Sequence, residues 1–181
     1  MMNKGFEVIE AHWLFGLSAE QIKVIIHKQS IIHSFVEFID GSIKAQLSSP
    51  DMRIPISYSL SYPRRTQIIT PPYFDILIMS GLDFSPVELD WDKSPRKDIN
   101  KYECLRIAYQ CLSEGGNIAA IVNAANEIAV DLFYNDKIGF LDIPKLIYHS
   151  IDRIDYIKEP SLSELFETDQ AVRQLLQNKF Q

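Results

Sequence analysis

The 181-residue chain contains no Gly-x-Gly-x-x-Gly string, so it cannot build the strand-to-helix turn that cradles a dinucleotide pyrophosphate. No apolar run reaches the roughly 20 residues needed to cross a bilayer, and the N-terminus lacks the basic-then-apolar pattern of a secretory leader. Positive charge is also scarce. Lys and Arg number 18 against 24 Asp and Glu, a formal charge of −6. Without a basic stripe interleaved with aromatics, this balance argues against nucleic-acid binding. Only two cysteines occur, Cys104 and Cys111. Within one expected helix they lie on roughly the same face but about 10 Å apart along the axis, too far for a disulfide. Reduced core thiols and a cytoplasmic location are expected. Neither cysteine has a base near it in sequence, and no strand-to-helix nucleophile turn is present, so no Ser-His-Asp or Cys-His centre is supported.

An apolar content of 46% is enough for a sizeable core in one domain or two small ones. Asn3 to Leu17 reads as an amphipathic helix with Phe6, Ile9, Trp13 and Leu17 as its apolar stripe. Ser18-Ala19-Glu20-Gln21 reads as a capping-box-like turn, and the β-branched run Ile22 to His27 as a strand. Ile31–Ile39 and Ser42–Leu47 flank Asp40-Gly41, a strong hairpin signal. The alternation of Ile43, Ala45 and Leu47 with Lys44, Gln46 and Ser48 implies one buried and one polar face, or a polar face covered by a partner subunit. Residues 63–101 hold Pro63, Pro71, Pro72, Pro86 and Pro95, which predicts an irregular connector pinned by Tyr73, Phe74, Phe84 and Trp91.

From residue 102 onward the pattern is helical. Leu105, Ala108 and Leu112 recur at helix spacing and Gly115-Gly116 supplies a stop. Ile118, Ile121, Val122, Ala125, Ala129 and Leu132 line one face of a second helix. Asp142 caps a third, with Leu146, Ile147 and Ile151 inward. Ser161-Leu162-Ser163-Glu164 caps a short fourth, and Thr168 or Asp169 starts a last one carrying Val172, Leu175, Leu176 and Phe180. The expectation is an α+β chain: 1–62 with an antiparallel-type sheet, 63–101 as connector, and 102–181 as a helical bundle.

Chemistry concentrates at the start of the first helix. Asn3, Lys4 and Glu7 share a face, because offsets of three and four are helix neighbours. The unpaired N–H groups and positive dipole end gathered there suit an anion such as a phosphate. Stability alone would not put Lys4 there, since a cation in the first turn opposes the dipole and Lys three before Glu is the weaker ion-pair order. The competing explanation is a solvated ion pair of little consequence. Elsewhere, His27 and His33 fall about 20 Å apart if both lie on a strand, too far to share an ion. His27 and His33 are read as structural, and His12 and His149 as lone surface residues. Met52 and Trp13 are expected in the core, and the polar string Asn123 to Glu127 as a structural hydrogen-bonding element.

The motifs are collinear across nearly the whole chain: Met1-Met2-Asn3-Lys4-Gly5 through His12-Trp13, then His27-Lys28-Gln29-Ser30 and Asp40-Gly41-Ser42. Ala45-Gln46-Leu47, Pro50-Asp51-Met52-Arg53-Ile54-Pro55, Cys104-Leu105-Arg106, Asn123-Ala124-Ala125-Asn126-Glu127 and Gly139-Phe140-Leu141-Asp142-Ile143 follow. This order resembles the C-terminal part of the 1-deoxy-D-xylulose 5-phosphate reductoisomerase family. One departure is Lys28, where that family usually has proline. The resemblance implies an enzyme dependent on NADPH and on Mg²⁺ or Mn²⁺ that forms 2-C-methyl-D-erythritol 4-phosphate from a phosphosugar, acting as a homodimer. It also implies that Asn3 and Lys4 hold the substrate phosphate and that Glu7 binds substrate and metal. The nucleotide domain, an Asp-x-Glu pair of ligands and the phosphate-binding serines would all precede Met1. On this expectation no residue of the chain is itself assigned as a catalytic acid, base or nucleophile, and the isolated chain is inactive. The alternative is a non-catalytic oligomerisation or binding module of the same family.

Overall fold

A computed structural model of the chain describes residues 1–67 and 102–180, together with the backbone of 85–86. The expected connector anchors Tyr73, Phe74, Phe84 and Trp91 lie outside the described residues. Two compact units are formed, Met1–Lys23 with Leu89–Gln181, and Val24–Glu88. Residues 1–62, expected together, therefore divide between them.

The first unit is helical. Helix α1 (Met2–Phe15) ends at Gly16, whose N–H bonds the carbonyl of His12 at 2.8 Å. Its buried residues are Met2, Gly5 and Val8, with Phe6 and Ile9 half-buried. The expected stripe is thus rotated, and Trp13, 74% exposed, is outside the core it was expected to join. The reason is the neighbour. α1 packs on α3 (Glu103–Glu114), and the crossing lies at Gly5, where an added Cβ would stand 2.7 Å from that of Ala108. A short 3₁₀ turn (Ala19–Gln21) follows α1, with Ser18 N–H donating to Gln21 Oε1 at 2.8 Å as the box pattern predicts.

Gly115 and Gly116 both adopt positive φ and end α3; at Gly116 a side chain would also collide with the Ile157 carbonyl, 2.4 Å from an ideal Cβ. Helix α4 (Ile118–Tyr134) buries Ile118, Ile121, Val122, Ala124, Ala125 and Ala129, the face its periodicity predicts, against α5 (Asp142–Ile151) and α6 (Leu162–Phe180). Asp142 accepts the Gly139 N–H at 3.0 Å, holding the entry to α5. The expected fourth and fifth helices are one continuous helix, α6. Ser161 and Glu164 form the capping box at its start, with Ser161 N–H to Glu164 Oε2 at 2.7 Å. Thr168 starts no new helix. It is buried mid-helix, and its hydroxyl oxygen accepts from Asn117 Nδ2 at 3.2 Å. Asn117, fully buried, also donates to the Asp155 carbonyl and accepts the Ile157 N–H, both at 3.0 Å, tying the start of α4 to the segment before α6.

The second unit is built from strands and one helix. Of the run Ile22 to His27 only β1 (Ile25–Ile26) is a strand, paired antiparallel with β4 (Ser85–Pro86). Pro86 has no N–H to extend that ladder. Strands β2 (Ile32–Glu37) and β3 (Ile43–Leu47) form the expected hairpin, with Phe35 opposite Ala45 and Val36 opposite Lys44. Gly41 turns at φ 80°, and the Asp40 carboxylate accepts both the N–H and the hydroxyl of Ser42. The expected buried face is not formed within the unit: Ile43 is 61% exposed and Val36 on the other face 52%. Two strands have two faces to cover, and no described element of this unit lies across either. Helix α2 (Arg53–Ser61) was not legible as a helix. It begins where Asp51 accepts the Arg53 N–H at 3.0 Å, and Pro55 fits its first turn. Met52, expected in the core, is 71% exposed at the start of α2.

Candidate phosphate- and metal-binding face of the first helix

Burial of Met2, Gly5 and Val8 against α3 leaves Asn3, Lys4 and Glu7 on the other side of α1. Met1 gives the helix no side-chain cap, and no acidic residue sits in the first turn. Lys4 Nζ donates to Glu7 Oε2 at 2.5 Å, and the two side chains are 44% and 57% exposed. An exposed pair of this kind is worth about 0–1 kcal/mol, so the contact is cheap to open for a ligand. Asn3, also exposed, adds a neutral amide one residue before Lys4.

This arrangement supplies an ammonium and an amide for an anion, and one hard carboxylate for a divalent cation. One carboxylate is not a complete cage. Among the described residues no group of three or more His, Cys, Asp or Glu side chains could hold a metal ion. Glu7 fits the role of a single ligand in a site completed by other groups. A groove of about 420 Å³ beside the second half of α1 is lined by Ile9, His12, Trp13, Leu112 and Pro160, and includes none of the three polar residues.

The histidines take separate local roles. His12 Nδ1 lies 2.5 Å from the Leu17 carbonyl, and His33 Nε2 lies 2.9 Å from Ser48 Oγ. His27 is half-buried at the start of the turn that precedes β2, whose Ser30 N–H returns to the His27 carbonyl at 3.2 Å. Desolvation, followed by Lys179 and Arg153, lowers the His149 pKa below its usual value. Both cysteines are free, and burial pushes the Cys111 thiol up to about 12, a packing thiol rather than a nucleophile. In the string Asn123 to Glu127, Ala124 and Ala125 are core, and Glu127 pairs with Arg173 at 2.6 Å.

Sequence reasoning passed over one cluster. Glu103 Oε1 accepts the Tyr148 hydroxyl at 2.6 Å and Arg106 Nε at 2.9 Å, while the Arg106 guanidinium stands 5.3 Å from the Tyr148 ring centre. Burial and the adjacent carboxylate raise the Tyr148 pKa. Cys104-Leu105-Arg106 was visible as a string, but Tyr148 is too distant in sequence to be joined to it by any pattern.

The DXP reductoisomerase C-terminal domain family matches residues 47–175. Among relatives, the 1-deoxy-D-xylulose 5-phosphate reductoisomerase of Bacillus cereus (strain AH187) is 46% identical over 97% of the chain and 44% of its own length. That of Thermoanaerobacter sp. (strain X514) is 44% identical over 99% of the chain and 44% of its own length. Among solved structures, the reductoisomerase from Zymomonas mobilis in complex with NADPH superposes with a TM-score of 0.84 at 37% identity, covering 100% of this chain and 45% of that one. A DOX-P reductoisomerase in complex with NADPH, fosmidomycin and magnesium gives 0.83 at 34% identity, covering 99% of this chain and 44% of that one. The chain thus spans less than half the length of these relatives.

Proposed function

Since the chain belongs to the DXP reductoisomerase family, we propose that these residues are the C-terminal part of an NADPH- and divalent-metal-dependent 1-deoxy-D-xylulose 5-phosphate reductoisomerase forming 2-C-methyl-D-erythritol 4-phosphate. The observation that carries the site is the face of α1 turned away from α3, where Asn3, Lys4 and Glu7 lie together and Lys4 reaches Glu7. Asn3 and Lys4 hold the substrate phosphate, as a neutral donor and a compact cation. Glu7, one turn on, gives an oxygen to Mg²⁺ or Mn²⁺ and orients the substrate's oxygens. When bound, the metal polarises the substrate carbonyl and NADPH supplies hydride. The nucleotide site lies mainly outside these residues. A DOX-P reductoisomerase similar to this chain is solved in complex with NADPH, fosmidomycin and magnesium, which supports the reading.

As a division by function, residues 1–62 carry the distal catalytic edge and a dimer sheet, 63–101 connect, and 102–181 form the C-terminal helical domain. The exposed apolar residues of the β2–β3 hairpin, Ile43 and Val36 among them, favour a homodimer that covers them. A cytoplasmic location accords with the free cysteines. The second reading, a non-catalytic module, draws on the mutual pairing of Lys4 and Glu7.

Steady-state kinetics of two variants across a metal titration, in the full-length enzyme carrying these residues, separates the readings. Lys4→Ala removes a charge-assisted contact of about 1.5–3 kcal/mol and should raise KM roughly ten- to a hundredfold with metal affinity near normal. Glu7→Gln should lower kcat steeply, with partial recovery at high Mg²⁺ or Mn²⁺. Wild-type kinetics for both would leave only a solvated ion pair.

A further inference from the structure

A glycine inside a helix weakens that helix, because it surrenders more backbone freedom than any other residue on folding. Gly5 sits in the buried side of α1 between Lys4 and Glu7. An ideal Cβ there would lie 2.7 Å from Ala108 Cβ and 3.4 Å from the Cys104 carbonyl oxygen. The first distance is far inside carbon–carbon contact, and neither partner is the movable end of a flexible side chain. Ala108 and Leu105 are fully buried, so α3 cannot retreat without opening the core. The first turn of α3 is clamped as well, through Glu103, Arg106 and the Tyr148 hydroxyl of α5.

We infer that α3 is the positioning element for the ligand face of α1, with Gly5 and Ala108 as the positioning residues that fix where Lys4 and Glu7 stand. This rests on the function proposed above for those two side chains. Lys4 precedes Gly5 and Glu7 follows it by two residues, so a displacement of α1 at the crossing moves the phosphate donor and the metal ligand together. The Cys104-Leu105-Arg106 string thereby acquires a role: it holds the surface on which the site helix rests.

The test is a cycle of Gly5→Ala, Ala108→Gly and the double variant in the full-length enzyme, read by kcat, KM and the Mg²⁺ concentration at half-maximal rate. Misplacement by about 1 Å can cost on the order of a hundredfold. Gly5→Ala should lower kcat/KM at least about tenfold and raise the Mg²⁺ requirement. Ala108→Gly removes the methyl that the new Cβ meets, so the double variant should regain most of that loss, while Ala108→Gly alone, which loosens the same crossing, should lower kcat/KM less than Gly5→Ala does. A folded Gly5→Ala with wild-type KM and metal requirement, or a double variant without recovery, overturns the inference. Should Gly5→Ala not fold, Ala108→Val enlarges the crossing from the other side with Gly5 intact, and wild-type kinetics there overturns it equally. Wild-type kinetics of Lys4→Ala and Glu7→Gln would instead remove the site reading itself, whereas impaired kinetics there beside an unimpaired Gly5→Ala removes the positioning claim alone.

Discussion

In the helical unit Leu105, Ile107, Ile121, Ile147 and Leu176 are sealed completely, whereas the unit Val24–Glu88 turns Val36, Ile43, Met52 and Leu60 outward at 52–85% exposure. Among the described residues of the second unit Ile31 is the one buried apolar side chain. The apolar content of the two is not what separates them. Five helices can interlock ridges and close a core among themselves, each fully buried aliphatic side chain contributing about 1.5–3 kcal/mol. A two-stranded hairpin has two faces and two edges, and alone it is marginal. The first unit thus closes a core within itself, while the described part of the second leaves apolar side chains exposed.

One chemical change made in both units breaks or sharpens that contrast. Ile121→Ala leaves a cavity in a closed core and should destabilise the helical unit by about 2–5 kcal/mol in urea unfolding followed by circular dichroism at 222 nm. A loss below about 1 kcal/mol would mean that the helical core is looser than its burial implies. Asn117→Ala should cost less, about 1–3 kcal/mol in the same assay, because it strands the Ile157 N–H and the Asp155 carbonyl without opening comparable volume. Ile43→Ala should be the mildest, shifting the helical transition by less than about 0.5 kcal/mol. Its effect should appear in self-association, as a weaker dimer in sedimentation at micromolar concentration. A large loss of stability without change in association would show that Ile43 is covered within its own chain.

The same contrast applies to polar groups. Asn117 is buried with its amide fully used, and its role ends in the fold. Asn3, Lys4 and Glu7 stand on an exposed face with capacity left over: an amide, and an ammonium and a carboxylate that meet only each other in an exposed pair.

Periodicity and punctuation were enough to find the four C-terminal-type helical faces, the Gly115-Gly116 stop, the Asp40-Gly41 hairpin and the polar cluster of α1, because each is a local preference written in adjacent residues. The resemblance to the family supplied the expectation that this cluster holds a phosphate and a metal ion. Local pattern failed wherever the identity of the neighbour mattered. It marked an apolar stripe on α1 but could not know that Ala108 would meet Gly5, which turned Trp13 outward and put Met2, Gly5 and Val8 inside. It split α6 at Thr168, because a threonine that could cap a helix is indistinguishable from one that bonds Asn117 from 51 residues away. It joined α1 to the hairpin by proximity in sequence, while packing joined it to α3. A residue's own chemistry and its near neighbours decide the element; which surface covers that element is a property of chain segments brought together from far apart, and only the folded molecule holds it.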